Sequence, residues 1–379
     1  MASLAKRADG HWRARYRDAA GREHSKHFKR KADAQHWLDE VTTAVTTGMY
    51  VDPGRARITV GDWVQRWIET KVDLKPSTKA RYEGILRSNV LPQWRDARLA
   101  DVTHGDVAAW IATLTASGLA PSTVRQIHRV FSLSLTLAVR DGRMARNPAD
   151  HVPLPRARKR EKVFLTVDQV DDLADAAGDY RTAILFLAYT GVRFGELTAL
   201  RVRRLDLMRR RAEIVEAVAE VHGAAVFSTP KSHQVRSVPI PRFLVEELAQ
   251  LVAGRRPEDF VFTSPKGGLL RLTNFRPTVF DPAVRGAGLD GLTPHSLRHT
   301  AASLAITSGA DVKVVQQMLG HASATMTLDL YGHLYGDRLD EVADRMDALR
   351  TSRGPAADFL RTEPQLIMFP ELDQNAAGQ

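Results

Sequence analysis

Residues 293–309 read TPHSLRHTAASLAITSG, and the opening of that run decides how the last third of the chain is to be understood. Thr293 suits a helix N-cap and Pro294 the first helical position, where its missing N–H costs nothing. A helix begun there sets His295 and Arg298 one turn apart on the same face. The unpaired backbone N–H groups at such a start attract anions, so a phosphate would meet imidazole, guanidinium and amides together. His295 and His299, four residues apart, also read as ordinary helix residues or as two zinc ligands. With no Glu between them and no other clear ligand nearby, no metal site is expected.

Four further segments surround this helix in order: GVRFGEL from Gly191 to Leu197, TPK ending at Lys231, LGH ending at His321, and the pair Tyr331 and Tyr335. Gly191 stops the apolar helix TAILFLAYTG, and Arg193 follows two residues later. The planar guanidinium matches a phosphate bidentately, so Arg193 and Arg298 are expected to clamp the two non-bridging oxygens, with Glu196 orienting Arg193 or holding the local fold. Lys231 falls between the strand-like runs AAVFST and VRSVPI, where a hairpin turn would project it beyond the sheet: it reads either as a solvated turn lysine or, where it reaches the cleaved bond, as the acid that protonates the leaving 5′-oxygen. His321, after Gly320 at a helix end, suits either a contact with the helix's C-terminal dipole or a hydrogen bond to the phosphate. A tyrosine attacks poorly while protonated and needs a base or a strongly cationic setting, which this cluster is expected to supply. The set offers cationic and proton-carrying groups and none of the clustered carboxylates of a magnesium-dependent nuclease. It points to metal-free chemistry on a phosphodiester with a tyrosine nucleophile, and no cofactor is expected.

Composition agrees with a polyanion partner. The 54 Lys and Arg outnumber the 44 Asp and Glu for a net charge of +10, which favours nucleic acid by attraction and counterion release. No cysteine is present, which excludes thiolate nucleophiles and Cys-ligated zinc. No stretch approaches a membrane span, and MASLAKRADG lacks the apolar core of a signal peptide, so a soluble intracellular protein is expected and no membrane partner.

The 379 residues divide into parts. In HWRARYRD, Trp12, Ala14 and Tyr16 alternate with Arg13, Arg15 and Arg17, the period of a half-buried strand with one basic face. HSKHF reads as a second strand and Ala32 to Thr47 as a helix behind them. The segment Thr59 to Asn147 reads as all-helical, with Ser77, Thr103 and Ser122 as N-caps and Lys75 and Lys79 suited to phosphate contacts. A basic linker, PLPRARKREK, leads to a mainly helical region in which AEIVEAVAEVHG, AAVFST and RSVPIP form one small antiparallel sheet. The last stretch, with its short apolar patch at Leu366 to Phe369, reads as a tail.

The boxes GVRFGEL, TPK with VRSVPI, HSLRHTAAS, LGHAS and TLDLYGHL resemble those of the tyrosine recombinases, specifically the phage and mobile-element integrases. Each alone is weak, but the order and spacing over residues 163–335 are highly specific. The resemblance puts the family's catalytic residues on Arg193, Lys231, His295, Arg298, His321 and Tyr331, with Glu196 accompanying. Its LGH-to-Tyr interval prefers Tyr331 to Tyr335 as nucleophile. It implies a multidomain α+β fold: an arm-type DNA-binding domain of sheet and helix (1–50), a helical SAM-like core-binding domain (58–150), a catalytic domain (163–350) and a tail (351–379). The implied activity is DNA integration or excision at double-stranded attachment sites through a 3′-phosphotyrosyl intermediate, by a homo-tetramer on DNA, with an excisionase and a DNA-bending host factor as accessory partners. A type IB topoisomerase and a non-catalytic DNA-binding regulator are the rival classes. The two N-terminal modules fit site-specific recombination better than the first, and the second leaves the ordered boxes without a purpose.

Overall fold

The computed structural model describes residues 2–18, 21–47, 50–51, 54, 57–156, 163–229, 235–335 and 339–351, with backbone alone for 339–341. The chain forms two compact units, one of residues 1–162, 216–230 and 262–272, the other of residues 163–215, 231–261 and 273–379.

The first unit opens with an antiparallel sheet, β1 (Ser3–Lys6), β2 (Trp12–Arg17) and β3 (Glu23–Phe28), backed by α1 (Lys31–Thr46). Strand β1 is an addition to the two strands that alternation predicts. Ala14 and Tyr16 of β2 are buried with Ala34 and Leu38 of α1, as the period of two requires. A helical bundle follows: α2 (Val60–Glu69), α3 (Pro76–Ile85) running through a π-helical turn (Leu86–Val90) into α4 (Leu91–Trp94), α5 (His104–Ala116) and α6 (Pro121–Arg140). Its core is aromatic, with Trp94, Trp110 and Phe131 in mutual ring contact at 5.4–5.8 Å. Thr103 caps α5 in a capping box with Asp106, as predicted. Ser77 and Ser122 are not caps: Lys75 and Ala120 hold those positions, and Pro76 and Pro121, each at the first helical residue, pull the helix starts forward.

The second unit builds on α7 (Val167–Ala176), the apolar α8 (Arg181–Thr190) and α9 (Phe194–Ala199). The predicted single sheet is two. The run Ala212–Gly223 breaks at Val215 and Glu216, so β4 (Leu205–Asp206), β5 (Arg211–Ile214) and β8 (Arg236–Pro239) form one sheet in the second unit. Strands β6 (Ala217–Val221) and β7 (Ala224–Ser228) form a separate hairpin in the first. Strand β7 therefore pairs with β6 and β8 with β5, so the strands flanking Lys231 do not make the expected hairpin. Lys231 itself lies outside the described residues, as do most of the basic linker and the tail beyond Thr351.

The remainder is helical: α10 (Arg242–Val252), α11 (Leu272–Phe275) joined by a π-helical turn (Arg276–Phe280) to α12 (Asp281–Gly286), α13 (Pro294–Thr307), α14 (Val312–Leu319), α15 (Ala324–Tyr331) and α16 (Leu339–Thr351). Periodicity does not assign the segment from Leu272 to Gly286, because Pro277 and Pro282 interrupt the pattern of Phe275, Phe280 and Val284, all buried. Among the described residues no helix is long and apolar enough to cross a membrane.

Candidate active site

Two helix C-termini of the second unit meet around one side chain. Helix α8 ends at Gly191 and α14 at Gly320, both left-handed at φ 65° and 62°. A side chain would also not fit: a Cβ at Gly191 would meet the Leu319 side chain at 2.6 Å, and one at Gly320 the Arg236 Cδ at 2.9 Å. Between these two C-termini enters Arg298 from α13. Its Nη1 donates to the Gly191 carbonyl at 2.5 Å and its Nη2 to the Leu319 carbonyl. The negative ends of two helix dipoles thus offset the desolvation of a guanidinium only 3% exposed. Burial, and then the charge of Arg193, pull its pKa down to about 9, which still leaves it protonated at neutral pH.

Arg193 stands at the N-cap of α9. The Glu196 carboxylate accepts from the Arg193 backbone N–H at 2.9 Å and from its Nη1 at 2.9 Å. Glu196 is 1% exposed and is bound on its other side by Arg236, whose Nη1 and Nη2 donate at 3.1 and 2.6 Å. Burial raises the Glu196 pKa, but the hydrogen bonds and charges of Arg236 and Arg193 outweigh it and hold the carboxyl below its ordinary range. Arg236 Nε also donates to the Met318 carbonyl at 3.1 Å, so one buried side chain ties α9 to the turn that carries His321. Sequence reasoning passed over Arg236, although a signal existed. In VRSVPI it takes the inward phase with Val238 and Ile240, and an arginine at an inward strand position requires a buried partner.

His321 is buried beside Thr327, with Nδ1 and Oγ1 3.0 Å apart. Desolvation, reinforced by Arg298, Arg193 and Arg236, lowers its pKa to about 4, so at neutral pH it is a hydrogen-bonding imidazole and not a cation. Tyr331, the last residue of α15, is 1% exposed. Its ring is parallel to that of His321, with centroids 6.3 Å apart. Burial pushes the phenol up to about 12, and the opposing pull of Arg298 does not reverse this. Burial thus outweighs the cationic setting that the motif cluster was expected to supply. The Tyr331 hydroxyl is 2.8 Å from Nδ1 of His299, a second residue that sequence reasoning passed over as an ordinary helix position.

Arg193, His295, Arg298, His299, His321 and Tyr331 line one cleft of about 380 Å³. His295 is exposed on the first turn of α13, where Thr293 and Ser296 form the predicted cap. The His295 and His299 rings meet edge-on at 5.1 Å, and among the described residues no group of His, Asp or Glu is arranged to hold a metal ion. Tyr335 follows a 3₁₀ turn and packs at the edge of the core around Tyr331; it is not among the residues lining the cleft. Of the predicted DNA contacts, Arg13, Arg15 and Arg17 lie on the face of β2 away from α1, all within 3.6–3.8 Å of the single carboxylate of Glu23. Lys75 instead reaches the Thr229 carbonyl at 3.4 Å, and Lys79 is half-buried on α3.

A helical domain that brings two arginines, three histidines and a tyrosine into one cleft has the cationic and hydrogen-bonding groups to receive a phosphodiester. Comparison with known proteins gives the family. The family model described as "Phage integrase family" matches residues 163–338, and "Phage integrase, N-terminal SAM-like domain" matches residues 59–115. The prophage phiRv2 integrase of Mycobacterium tuberculosis is 30% identical over 359 residues, covering 90% of this chain and 93% of that one. Tyrosine recombinase XerC of Mycobacterium sp. (strain JLS) is 30% identical over 289 residues, 71% of this chain and 91% of its own. Among solved structures, the Tn1549 transposon integrase in complex with a circular intermediate DNA aligns with TM-score 0.66 at 22% identity, covering 77% of this chain and 99% of that one. A lambda integrase tetramer bound to a Holliday junction aligns with TM-score 0.55 at 20% identity, covering 85% and 96%. The chain belongs to the phage integrase family and is a tyrosine-type site-specific recombinase.

Proposed function

We propose that this recombinase integrates or excises a mobile DNA element, with Tyr331 as the nucleophile that forms a 3′-phosphotyrosyl link. The observation that carries the reading is the convergence of Arg193, His295, Arg298, His321 and Tyr331 on one cleft. Tyr331 Oη attacks the scissile phosphate and the 5′-oxygen leaves. The 5′-hydroxyl of a partner duplex then attacks the link and restores the backbone, so bond energy is conserved. Arg193 and Arg298 take the non-bridging oxygens, with His295 and neutral His321 as hydrogen-bonding partners of the developing charge. Lys231 is the general acid of this reading. Glu196 positions Arg193.

Residues 1–50 bind distant arm sites, residues 58–150 close on the core site, and residues 163–350 carry the chemistry. Four strands exchanged by four tyrosines call for a tetramer on double-stranded attachment sites, and the DNA-bound relatives, one of them a tetramer on a Holliday junction, support that assembly. An excisionase and a DNA-bending host factor are the accessory partners, and the bacterial chromosome is the place of action. A core-site duplex nicked just downstream of the scissile phosphate, which loses its short 5′-hydroxyl fragment on cleavage, traps the covalent complex. Wild type and Tyr335→Phe should accumulate adduct and Tyr331→Phe should give none. An undiminished yield from Tyr331→Phe overturns the assignment.

A further inference from the structure

The cleft holds a phenol that burial keeps protonated at neutral pH, so the attack needs a proton acceptor within reach of Oη. The groups around it divide by chemistry. Arg193 and Arg298 are guanidiniums, which carry no basic lone pair. His321 lies parallel to the phenol ring and directs Nδ1 to Thr327. His295 sits one turn earlier on α13, with its ring against the edge of His299. His299 Nδ1 stands 2.8 Å from the Tyr331 hydroxyl, within hydrogen-bond reach of the proton to be removed.

We propose that His299 is the catalytic base that takes the phenolic proton of Tyr331, an inference that rests on Tyr331 being the nucleophile. With its own proton on Nε2, the neutral imidazole presents a lone pair on Nδ1 to the hydroxyl. As the Oη–P bond forms and the bond to the 5′-oxygen breaks, the Oη proton passes to Nδ1. The 5′-oxygen takes its proton from the acid assigned to Lys231. In rejoining, the incoming 5′-hydroxyl gives its proton to that acid and attacks phosphorus. The Oη–P bond then breaks and Nδ1 returns its proton to Oη. Half-buried on the middle of α13 and one residue from Arg298, His299 is held on the same rigid helix as the phosphate-binding side chain.

Single-turnover cleavage of the nicked duplex, with the modified tyrosine identified by peptide mass spectrometry, tests this in the full chain. His299→Asn keeps a polar atom near the place of Nδ1 but no base at neutral pH, and His299→Ala leaves room for added imidazole. With the adduct on Tyr331, both variants should cleave on the order of 10²- to 10⁴-fold more slowly while melting like wild type, and imidazole should accelerate His299→Ala. Wild-type cleavage by His299→Asn, or no response of His299→Ala to imidazole, overturns the base and leaves the nucleophile standing. An adduct on Tyr335 overturns the nucleophile itself.

Discussion

The β2 face of the N-terminal sheet and the cleft beneath α13 both gather arginine, and they differ in what holds it. Arg13, Arg15 and Arg17 are 39–61% exposed and share one carboxylate, Glu23, at distances beyond good hydrogen bonds. Arg298 and Arg236 are 3% and 9% exposed, and each is bound to fixed acceptors: helix-terminal carbonyls for the first, Glu196 and the Met318 carbonyl for the second. Exposed ion pairs contribute little and are screened by salt, whereas a buried charge deprived of its partner is strongly destabilising. The sheet therefore presents exposed charge that no short hydrogen bond to Glu23 fixes. The cleft presents charge whose geometry is fixed before substrate arrives, the condition for stabilising a transition state.

The contrast breaks most readily at Arg236. Arg236→Met should strip the buried Glu196 of its two-pronged partner, leaving it held by Arg193, and lower stability by about 3–5 kcal/mol in urea unfolding; a loss below about 1 kcal/mol would mean the network is no more committed than the sheet. Arg193→Gln, at the mouth of the cleft, should slow single-turnover cleavage by about 10²- to 10³-fold with little change in melting temperature. An equal loss of DNA affinity would show it to be a binding residue like those of β2. His321 gives a smaller, pH-dependent effect. Unfolded, it takes a proton near 6.5; folded, only near 4. The unfolded state binds more protons between those values, so stability should fall, on the order of 2 kcal/mol in all, as pH drops from about 6.5 to about 4. His321→Gln should flatten that slope, and an unchanged slope would place the titration elsewhere. Replacing Arg13, Arg15 and Arg17 together with Ala should have the least effect on the fold, with a melting temperature close to wild type. The salt dependence of DNA binding should become shallower, by roughly 0.9 in logarithmic slope for each phosphate that these arginines neutralise. An unaltered salt slope would remove this face from the DNA interface.

Features set by neighbours in sequence were legible. Thr103 and Thr293 cap helices, Gly191 and Gly320 end them, and the His295 and Arg298 spacing fixes one helix face. The local signals that misled were those with two readings. Ser77 and Ser122 have cap chemistry but follow a proline that has already started the helix. The apolar alternation of Ala212–Gly223 does not mark the point where the chain leaves one sheet for another, because β5 and β6 find different partners.

What the sequence determined by itself is the class of chemistry: residue types in a fixed order, each with a limited repertoire, point to a phosphodiester and a tyrosine. Only the tertiary structure decided the protonation states and the partners. Arg236 meets Glu196 across 40 residues and His299 meets Tyr331 across 32, distances in sequence at which no periodicity speaks. Burial, which raises the Tyr331 pKa and lowers that of His321, is a property of packing, and it converts a cationic site with a nearby tyrosine into one that needs a base at Oη.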